Sequence, residues 1–311
     1  DYDHDGLLDL TVTNFSHDYN TVFRNQSRPR AAGGMRPAFE DVTVRTGVNL
    51  PTFTSLCWTA DAADVDGDGR PDLFVTNIDF EPNNLFHNNG DETFDDVTVQ
   101  ARLGSVAQMF SGFGTRFVDY DNDGNLDIFV LNGHPMDNVQ LMREGVTPAE
   151  RPFLLENTGG ARFEEVGAQH GEALTRQYHG RGLAMGDFDN DGDEDFLIVQ
   201  NGGPPVLLRN DGGNRNAWVG FELVGLASGK EAVGAVVTVT AGSHRQVQDR
   251  VGGASYLSAS DSRLLFGLGA AEKIDKVEVR WPSGAMSELE NLSARRYYRI
   301  EEPEGKKGPR G

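Results

Sequence analysis

Residues 64–76 read Asp-Val-Asp-Gly-Asp-Gly-Arg-Pro-Asp-Leu-Phe-Val-Thr, and the pattern Asp-x-Asp-x-Asp-Gly-x-x-Asp within them decides the fold. The same pattern begins again at Asp1, Asp119 and Asp187, so successive copies start 63, 55 and 68 residues apart. Each copy runs into a short segment rich in Val, Ile, Phe and Thr, which predicts a β-strand. Recurrence at this spacing indicates a protein built from one repeated supersecondary unit.

Two further elements follow each loop in a fixed order. The first is a pair of apolar residues, one polar residue and Asn, as in residues 85–88. The second is Phe, two acidic residues and Val, as in residues 94–97, and it is present in three of the four repeats. A strand is also predicted before each of the last three loops, which gives about four short strands per repeat. Four-stranded repeats with a period near ~50–60 residues are typical of β-propeller blades.

The chemistry of these Asp loops suits a hard cation such as Ca²⁺. Carboxylates on alternate residues of a tight loop supply oxygen ligands, and the sixth-position Gly permits the sharp turn. The seventh residue offers a backbone carbonyl, and the ninth-position Asp would close the ligand shell. Loop by loop, the predicted ligands are Asp1, Asp3, Asp5, Leu7 and Asp9; Asp64, Asp66, Asp68, Arg70 and Asp72; Asp119, Asp121, Asp123, Asn125 and Asp127; and Asp187, Asp189, Asp191, Asp193 and Asp195. The sequence therefore predicts up to four Ca²⁺ ions, one in each loop.

Two alternatives, an EF-hand and an ordinary turn, fit the Asp loops less well than a calcium loop on a β scaffold. An EF-hand needs Glu at the twelfth position, where these loops carry Val or Ile, and it needs flanking amphipathic helices. Ordinary Asp- and Gly-rich turns explain a single copy, but they do not explain four copies that keep every Asp and the Gly. The repeated Asp positions hold 16 of the 48 acidic residues, and four carboxylates within nine residues repel one another without a cation.

Composition excludes several classes of protein. The 311 residues include 48 acidic and 28 basic side chains, a net charge of −20, which disfavours a nucleic-acid partner. The sequence has no apolar run near the ~18 residues that span a bilayer, so a membrane-spanning protein is not expected. The single cysteine, Cys57, excludes an intramolecular disulfide framework and is predicted to be a buried apolar side chain.

The loops and the strands that follow them resemble the FG-GAP/VCBS calcium-loop blades of integrin α-subunit propellers and of many bacterial surface proteins. The resemblance covers residues 1–214, and its Asp pattern is specific for calcium-binding blades but not for one function. It implies a partial β-propeller with calcium in the Asp loops.

A different all-β pattern follows the fourth repeat. Seven alternating strands separated by Gly-rich turns are predicted between residues 217 and 301, the first of them at Ala217–Val224. They indicate a small sandwich or barrel-like module over residues 215–302. The tail 303–311 is polar and predicted to be disordered. The motifs Asn-Arg-Asn-Ala-Trp at 214–218, Gly-Gly-Ala-Ser-Tyr-Leu-Ser at 252–258 and Val-Arg-Trp-Pro-Ser-Gly at 279–284 resemble the ASPIC/UnbV module.

Calcium-loop blades followed by this module are the arrangement of the cartilage acidic protein family and its bacterial relatives. The resemblance implies a secreted, cell-surface or periplasmic calcium-binding protein that acts in adhesion, with an extracellular protein or glycan as its partner. The module has no established biochemical activity, so the resemblance supplies no reaction.

A non-enzymatic role is expected because the sequence offers no catalytic constellation. It contains no Gly-x-Ser-x-Gly nucleophile elbow and no His-x-x-x-His pair that could hold zinc. The alternative is a calcium-dependent hydrolase or lyase acting on glycans or phosphoesters, because a propeller can host many activities. Charged and aromatic side chains converging on the central channel, away from the Asp loops, would favour that alternative.

The repeats also predict an incomplete ring. The first repeat has no residues for a strand before its loop, and the fourth passes into the C-terminal module before its last strand. The third repeat carries about 14 extra residues between Gly133 and Arg151, which we expect to form a surface loop. We therefore expect an open arc whose first and last blades do not touch, within a parent chain of about seven blades that extends upstream of Asp1.

Overall fold

The computed structural model describes residues 1–14, 20–29, 35–48 and 57–304. Its described strands in chain order are β1 (Leu10–Val12), β2 (Thr21–Asn25), β3 (Arg28–Pro29), β4 (Met35–Arg36), β5 (Phe39–Asp41), β6 (Thr59–Ala63), β7 (Asp72–Thr76), β8 (Asn84–Asn88), β9 (Phe94–Asp96), β10 (Gly112–Val118), β11 (Asp127–Asn132), β12 (Phe153–Asn157), β13 (Phe163–Glu165), β14 (Gly180–Gly186), β15 (Asp195–Gln200), β16 (Val206–Leu208), β17 (Ala217–Val224), β18 (Val236–Ala241), β19 (His244–Asp249), β20 (Leu264–Gly269), β21 (Lys273–Arg280), β22 (Met286–Ser293) and β23 (Arg296–Glu301). This confirms the predicted all-β class.

The described helices are single turns at the edges of the sheets. They are α1 (Thr43–Thr46), α2 (Glu172–Thr175) and the 3-10 turns Val139–Leu141, Gly167–Gln169 and Gly213–Arg215. None of the helices in the described ranges has the length and apolar composition needed to cross a bilayer.

Four of the sheets correspond to the four sequence repeats. Blade 1 is β1-β2-β5, blade 2 is β6-β7-β8-β9, blade 3 is β10-β11-β12-β13 and blade 4 is β14-β15-β16. Every pairing within these sheets is antiparallel. Blades 2 and 3 have the predicted four strands. Among the described residues, the sheet of blade 1 begins with the strand after its Asp loop and that of blade 4 ends at β16, as the sequence predicts.

Apolar side chains between neighbouring blades form three cores. Phe86 and Phe94 of blade 2 pack with Val22 of blade 1, and separate clusters join blade 2 to blade 3 and blade 3 to blade 4. The core between blades 2 and 3 contains Phe74 and Phe153, both fully buried. Fully burying such a side chain contributes roughly 1.5–3 kcal/mol, so blade-to-blade packing holds the arc together.

The two ends of the arc expose the apolar faces that the inner blades bury. In blade 1, Leu10 and Phe39 are 48% and 45% exposed, and in blade 4, Leu197, Val199 and Leu207 are 42–46% exposed. Within the described ranges no strand of blade 1 pairs with a strand of blade 4. The described residues therefore form the open arc that the repeat boundaries predict.

The C-terminal module is a sandwich of two sheets, β20-β17-β23 and β19-β18-β21-β22. Strand β17 has the bounds predicted from sequence, and it pairs in parallel with β23 through Val219↔Arg296. Alternate residues such as Val237 and Val239 point inward and pack with Phe221 and Trp281 in one fully buried core. Of the tail predicted to be disordered, residues 305–311 lie outside the described residues.

Candidate metal centres

Each Asp loop turns at its sixth residue, where a positive φ angle favours glycine. Gly69 and Gly124 have φ values of 90° and 97°, in the region that side-chain-bearing residues rarely adopt. The N–H of Gly69 donates to Asp64 Oδ2 over 2.9 Å, and the N–H of Gly124 donates to Asp119 Oδ2 over 3.0 Å. The other oxygen of these two Asp residues accepts a second N–H, from Gly67 and from Asp123, so both oxygens hold the turn closed. Each oxygen keeps a further lone pair that could bind a cation.

The ninth-position Asp ties each loop to the strand beyond it. In blade 3 the two oxygens of Asp127 accept the N–H groups of Asn157 and Tyr120 over 2.7 and 3.3 Å. The other three loops repeat this pair of bonds. Each carboxylate oxygen keeps a further lone pair, so this Asp can brace the loop and still bind a cation.

The loops bring three side-chain oxygens together in each blade, all within 4.8 Å of one another. The converging sets are Asp1, Asp3 and Asp5; Asp64, Asp66 and Asp68; Asp119, Asp121 and Asp127; and Asp187, Asp189 and Asp195. The fifth-position residues of the last two loops, Asp123 and Asp191, fall outside their sets. The Asp123 carboxylate instead accepts the backbone N–H and the side-chain amide of Asn125. The carbonyls of the seventh position, and ion binding itself, stay predictions.

Each repeat has an Asn at or just past the end of the second strand after its Asp loop, and the residue before this recurring Asn differs in charge among the four loops. This difference was not predicted from the sequence. The four recurring residues are Asn25, Asn88, Asn157 and Asn210. Arg24 Nε lies 2.6 Å from Asp3 in loop 1, and His87 lies 3.3 Å from Asp66 in loop 2. In loop 4, Arg209 lies 3.9 Å from a carboxylate oxygen. Loop 3 has Glu156 at this position, which adds negative charge. The signal was visible as Arg, His, Glu and Arg at one repeat position.

Loop 3 is accordingly the site where a bound cation would relieve the most repulsion between buried carboxylates. Burial raises the pKa of Asp119 well above its usual range, and Asp123 and Asp121 raise it further. Burial likewise raises the pKa of Asp127, although the Asn157 N–H opposes this change. A divalent cation would remove both penalties, and an all-oxygen donor set is the one that Ca²⁺ prefers. The residues present therefore fit calcium.

The recurring Asn joins each blade to the Asp loop of the blade before it. Its side-chain amide donates to the carbonyl of the second loop residue over 2.6–3.0 Å. The pairs are Asn88 to Tyr2, Asn157 to Val65, and Asn210 to Tyr120. Its amide oxygen also accepts the N–H of the following Gly, as in Asn157 and Gly159. Ordering a loop therefore also orders the contact between blades.

The C-terminal module lies against the Asp-loop end of the blades. Arg280 contacts Asp1 over 3.0 Å, and the Tyr297 hydroxyl donates to Asp187 Oδ2 over 2.6 Å. At loop 3, the Gly269 N–H donates to the Asn122 carbonyl over 2.8 Å. The module therefore contacts several Asp loops directly, which was not predicted from the sequence.

A cavity of about 450 Å³ lies between the module and the inner strands of blades 2 to 4. Two ion pairs line it: Asp61 with Arg116 over 3.1 Å, which joins blades 2 and 3, and Asp261 with Arg263 over 2.6 Å, within the module. Burial raises the pKa of Glu194, which also lines the cavity, to about 7; Arg116 opposes this rise. Further charged side chains line the cavity, among them Asp249 and Arg250.

The extra segment of the third repeat lies on the face of the blades opposite the Asp loops. His134 and Arg143 from this segment contact Asp79 of blade 2, which is fully buried. The Met136 N–H donates to His134 Nδ1 over 3.0 Å, and His134 Nε2 lies 3.3 Å from Asp79 Oδ1. Nearby, Cys57 is buried as predicted, and burial raises the pKa of its thiol to about 12. The thiol is therefore protonated at neutral pH and is not an activated nucleophile.

Comparison with known families matches two models. A model described as FG-GAP-like repeat matches residues 1–75 and 64–130, and a model described as ASPIC and UnbV matches residues 225–307. Both resemblances noted from the sequence motifs are thereby confirmed.

Among known proteins, the chain is similar to cartilage acidic protein 1 of three vertebrates. It is 28% identical to the Homo sapiens protein over 266 residues, covering 69% of this chain and 39% of that protein. The values for Mus musculus are 28%, 69% and 40%, and for Xenopus tropicalis 31%, 71% and 33%. The chain thus spans less than half the length of these relatives.

Among solved structures, one match is an Agrocybe aegerita lectin described as specifically recognising non-reducing terminal N-acetylglucosamine. The identity is 16%, the match covers 67% of this chain and 50% of that chain, and the TM-score is 0.29. A likeness this distant carries no argument about fold or ligand.

Proposed function

Because the chain belongs to the proteins that join FG-GAP-like repeats to an ASPIC and UnbV domain, and is homologous to cartilage acidic protein 1, we propose that it is a calcium-stabilised extracellular binding protein. Its Asp loops hold up to four Ca²⁺ ions that set the geometry of the blades, and its outer surfaces bind a protein or glycan in adhesion. The blades span residues 1–214 and the C-terminal module residues 215–302.

The observation that carries the calcium proposal is the convergence of Asp119, Asp121 and Asp127 in loop 3. Two of these carboxylates are nearly fully buried, at 6% and 2% exposure, and Glu156 adds charge beside them. Arg24 partly compensates the equivalent carboxylates of loop 1. We therefore expect loop 3 to bind Ca²⁺ most tightly.

Isothermal titration of Ca²⁺ into the chelator-treated chain tests this ranking. We expect a tight component that is lost in Asp127→Asn, while the weaker components remain. Asp137→Asn, which removes an exposed carboxylate outside the loops, is the matched control and should leave the titration unchanged. Equal isotherms for the wild type and Asp127→Asn would contradict the assignment of loop 3.

The proposed role is binding rather than catalysis. Four charged side chains of the cavity beside the module form the ion pairs Asp61 with Arg116 and Asp261 with Arg263, and Asp61 also accepts the Phe117 N–H over 2.9 Å. Groups paired in this way position blades and module. The hydrolase or lyase alternative predicts turnover of glycan or phosphoester substrates that is lost with Arg116→Ala, and it fails if no substrate of either class is turned over.

A further inference from the structure

Blade 4 has an open strand edge where blades 2 and 3 have a fourth strand. In those blades β9 and β13 pair with β8 and β12 through Asn88↔Phe94 and Asn157↔Phe163. In blade 4 the corresponding strand is β16, and the described residues supply no strand beyond it. The chain instead turns after Asn210 into the C-terminal module. An unpaired edge of this kind is a template for another strand.

A cavity lies beside this edge, at the place that a specific side chain fills in the other blades. Phe94 packs into the core between blades 1 and 2, with its ring 5.9 Å from that of Tyr2, the second residue of the preceding Asp loop. Phe163 packs equivalently with Val65. The residue equivalent to Tyr2 and Val65 for blade 4 is Tyr120, and it lines an open cavity of about 740 Å³.

The cavity walls are those of an aromatic pocket. Besides Tyr120, they include the apolar side chains of Phe129, Leu154, Leu174, Phe196 and Leu208. This volume falls in the range of small-molecule and side-chain pockets. Its apolar part resembles the cores that surround Phe94 and Phe163, and charged residues of both signs also line the cavity. The blade 4 edge therefore lacks both a strand and the aromatic residue that the strand would carry.

The other blades indicate what should follow the aromatic residue. The residue before the recurring Asn pairs with an acidic one in each of them, as Arg24↔Glu40, His87↔Asp95 and Glu156↔Glu164. The equivalent residue of blade 4 is Arg209, which is 58% exposed and contacts Asp211 over 2.8 Å. An acidic residue after the aromatic one would lie opposite Arg209.

We propose that the open edge of β16 and this cavity form a binding site for an extended segment of a partner polypeptide with the pattern Phe-acidic-acidic-Val. The segment adds to blade 4 as a fourth antiparallel strand, its Phe enters the cavity, and its first acidic residue faces Arg209. Main-chain pairing gives affinity and the aromatic pocket gives specificity, as in other cases of strand addition. The cavity borders loop 3 through Tyr120 and Asp121, so peptide binding is measured with calcium present.

The test uses a fluorescein-labelled peptide with the sequence of residues 91–99, Asp-Glu-Thr-Phe-Asp-Asp-Val-Thr-Val, added to the full chain in buffer with calcium. Fluorescence anisotropy should show saturable binding. The same peptide with Phe94→Ala should bind at least roughly tenfold more weakly, because an aromatic anchor in a desolvated pocket carries a large share of binding energy. No saturation up to millimolar chain, or equal binding of both peptides, would overturn the proposal.

Two variants of the chain separate the cavity from non-specific binding. Ala173→Trp fills the cavity from an exposed lining position and should abolish peptide binding. Ala270→Trp places the same side chain on an exposed turn of the module and should leave binding unchanged. Equal melting temperatures of the two variants confirm that both fold. Peptide binding that survives Ala173→Trp would place the peptide elsewhere and overturn the proposal.

The competing occupant is a second copy of this chain, which could offer its own exposed Phe39 strand. Sedimentation of the chain at increasing concentration distinguishes the two. Self-association that Phe39→Ala abolishes, together with failure of the peptide to compete, would assign the edge to a second copy and overturn the partner-polypeptide proposal. A monomer that binds the peptide supports it.

Discussion

The side-chain amide of Asn157 in blade 3 donates a hydrogen bond to the backbone carbonyl of Val65, in the Asp loop of blade 2, over 3.0 Å. The bond is buried, so removing the amide would leave the Val65 carbonyl without this partner and away from water. Two further Asn side chains make the same bond between the neighbouring pairs of blades. The recurring Asn thus links neighbouring repeats through a hydrogen bond.

Asn157→Ala should lower the free energy of unfolding by roughly 1–3 kcal/mol, because it leaves a buried carbonyl unsatisfied. Asn25→Ala is the matched control, because the side chain of Asn25 bonds to Leu8 and Ser27 within its own repeat. Urea unfolding followed by circular dichroism measures both. A loss for Asn25→Ala equal to that for Asn157→Ala would show that the contact between blades contributes nothing.

Glu156→Gln should weaken Ca²⁺ binding at loop 3 by roughly threefold to tenfold, because it removes a charge that attracts the cation at short range. Glu164→Gln, on the paired strand β13 but in an exposed ion pair with Arg102, is the control and should have little effect. Calorimetric titration of both variants checks the difference. Unchanged affinity in Glu156→Gln would mean that this charge does not reach the ion.

Gly267→Ala should loosen the module from blade 3. A Cβ at Gly267 would lie 2.0 Å from Asp119 Oδ2 and 2.5 Å from Asn122 Cα, so the module or the loop must shift. We expect a loss of roughly 1–3 kcal/mol of stability and weaker Ca²⁺ binding at loop 3. Gly104→Ala meets only an ordinary contact at 3.7 Å and serves as control. Thermal melting and calcium titration of both variants provide the comparison.

Glu302 should make the C-terminal module sensitive to acid. Burial alone raises the pKa of Glu302, but hydrogen bonds from the Ser283 and Ser228 hydroxyls and from the N–H groups of residues 226–228 outweigh it and lower this pKa to about 2. Since the folded-state pKa lies below the ordinary value of 4.5, the stabilisation is complete above about pH 5 and is lost as the pH falls toward 2.

Glu302→Gln should therefore destabilise the module by up to about 3 kcal/mol at pH 7, and by progressively less below pH 4.5. Unfolding followed by the fluorescence of Trp281, buried in the module core, reports this change. A difference between variant and wild type that stays constant from pH 7 to pH 2 would contradict the assigned role of Glu302.

Repetition made the fold predictable from the sequence. The loop period located the blades, and alternating patterning gave β17 its observed bounds of Ala217–Val224. The missing outer strand of blade 4 followed from the absence of a Phe element after Asn210. These features depend on local turn chemistry and periodicity, which a single chain displays directly.

Contacts that join one repeat to another were not predictable in the same way. The bond between Asn157 and Val65 spans 92 residues, and the contact of Arg280 with Asp1 spans 279. Their partners are set by how blades and module pack, and no local pattern encodes that packing. The difference between Arg24 and Glu156 was visible in the sequence, but its meaning required knowing that this position faces an Asp loop.

The measurement that tests the central claim most directly is thermal unfolding of the chain in 1 mM CaCl₂, in EDTA and in EDTA followed by excess Ca²⁺ or Mg²⁺. Four sites with Kd near ~10⁻⁴ M would together contribute about 6 kcal/mol, which corresponds to roughly 10–20 °C in Tm. We predict that EDTA lowers Tm by this order, that Ca²⁺ restores it and that Mg²⁺ does so poorly. Superimposable melting curves with and without EDTA would show that the Asp loops are plain turns and would contradict the account.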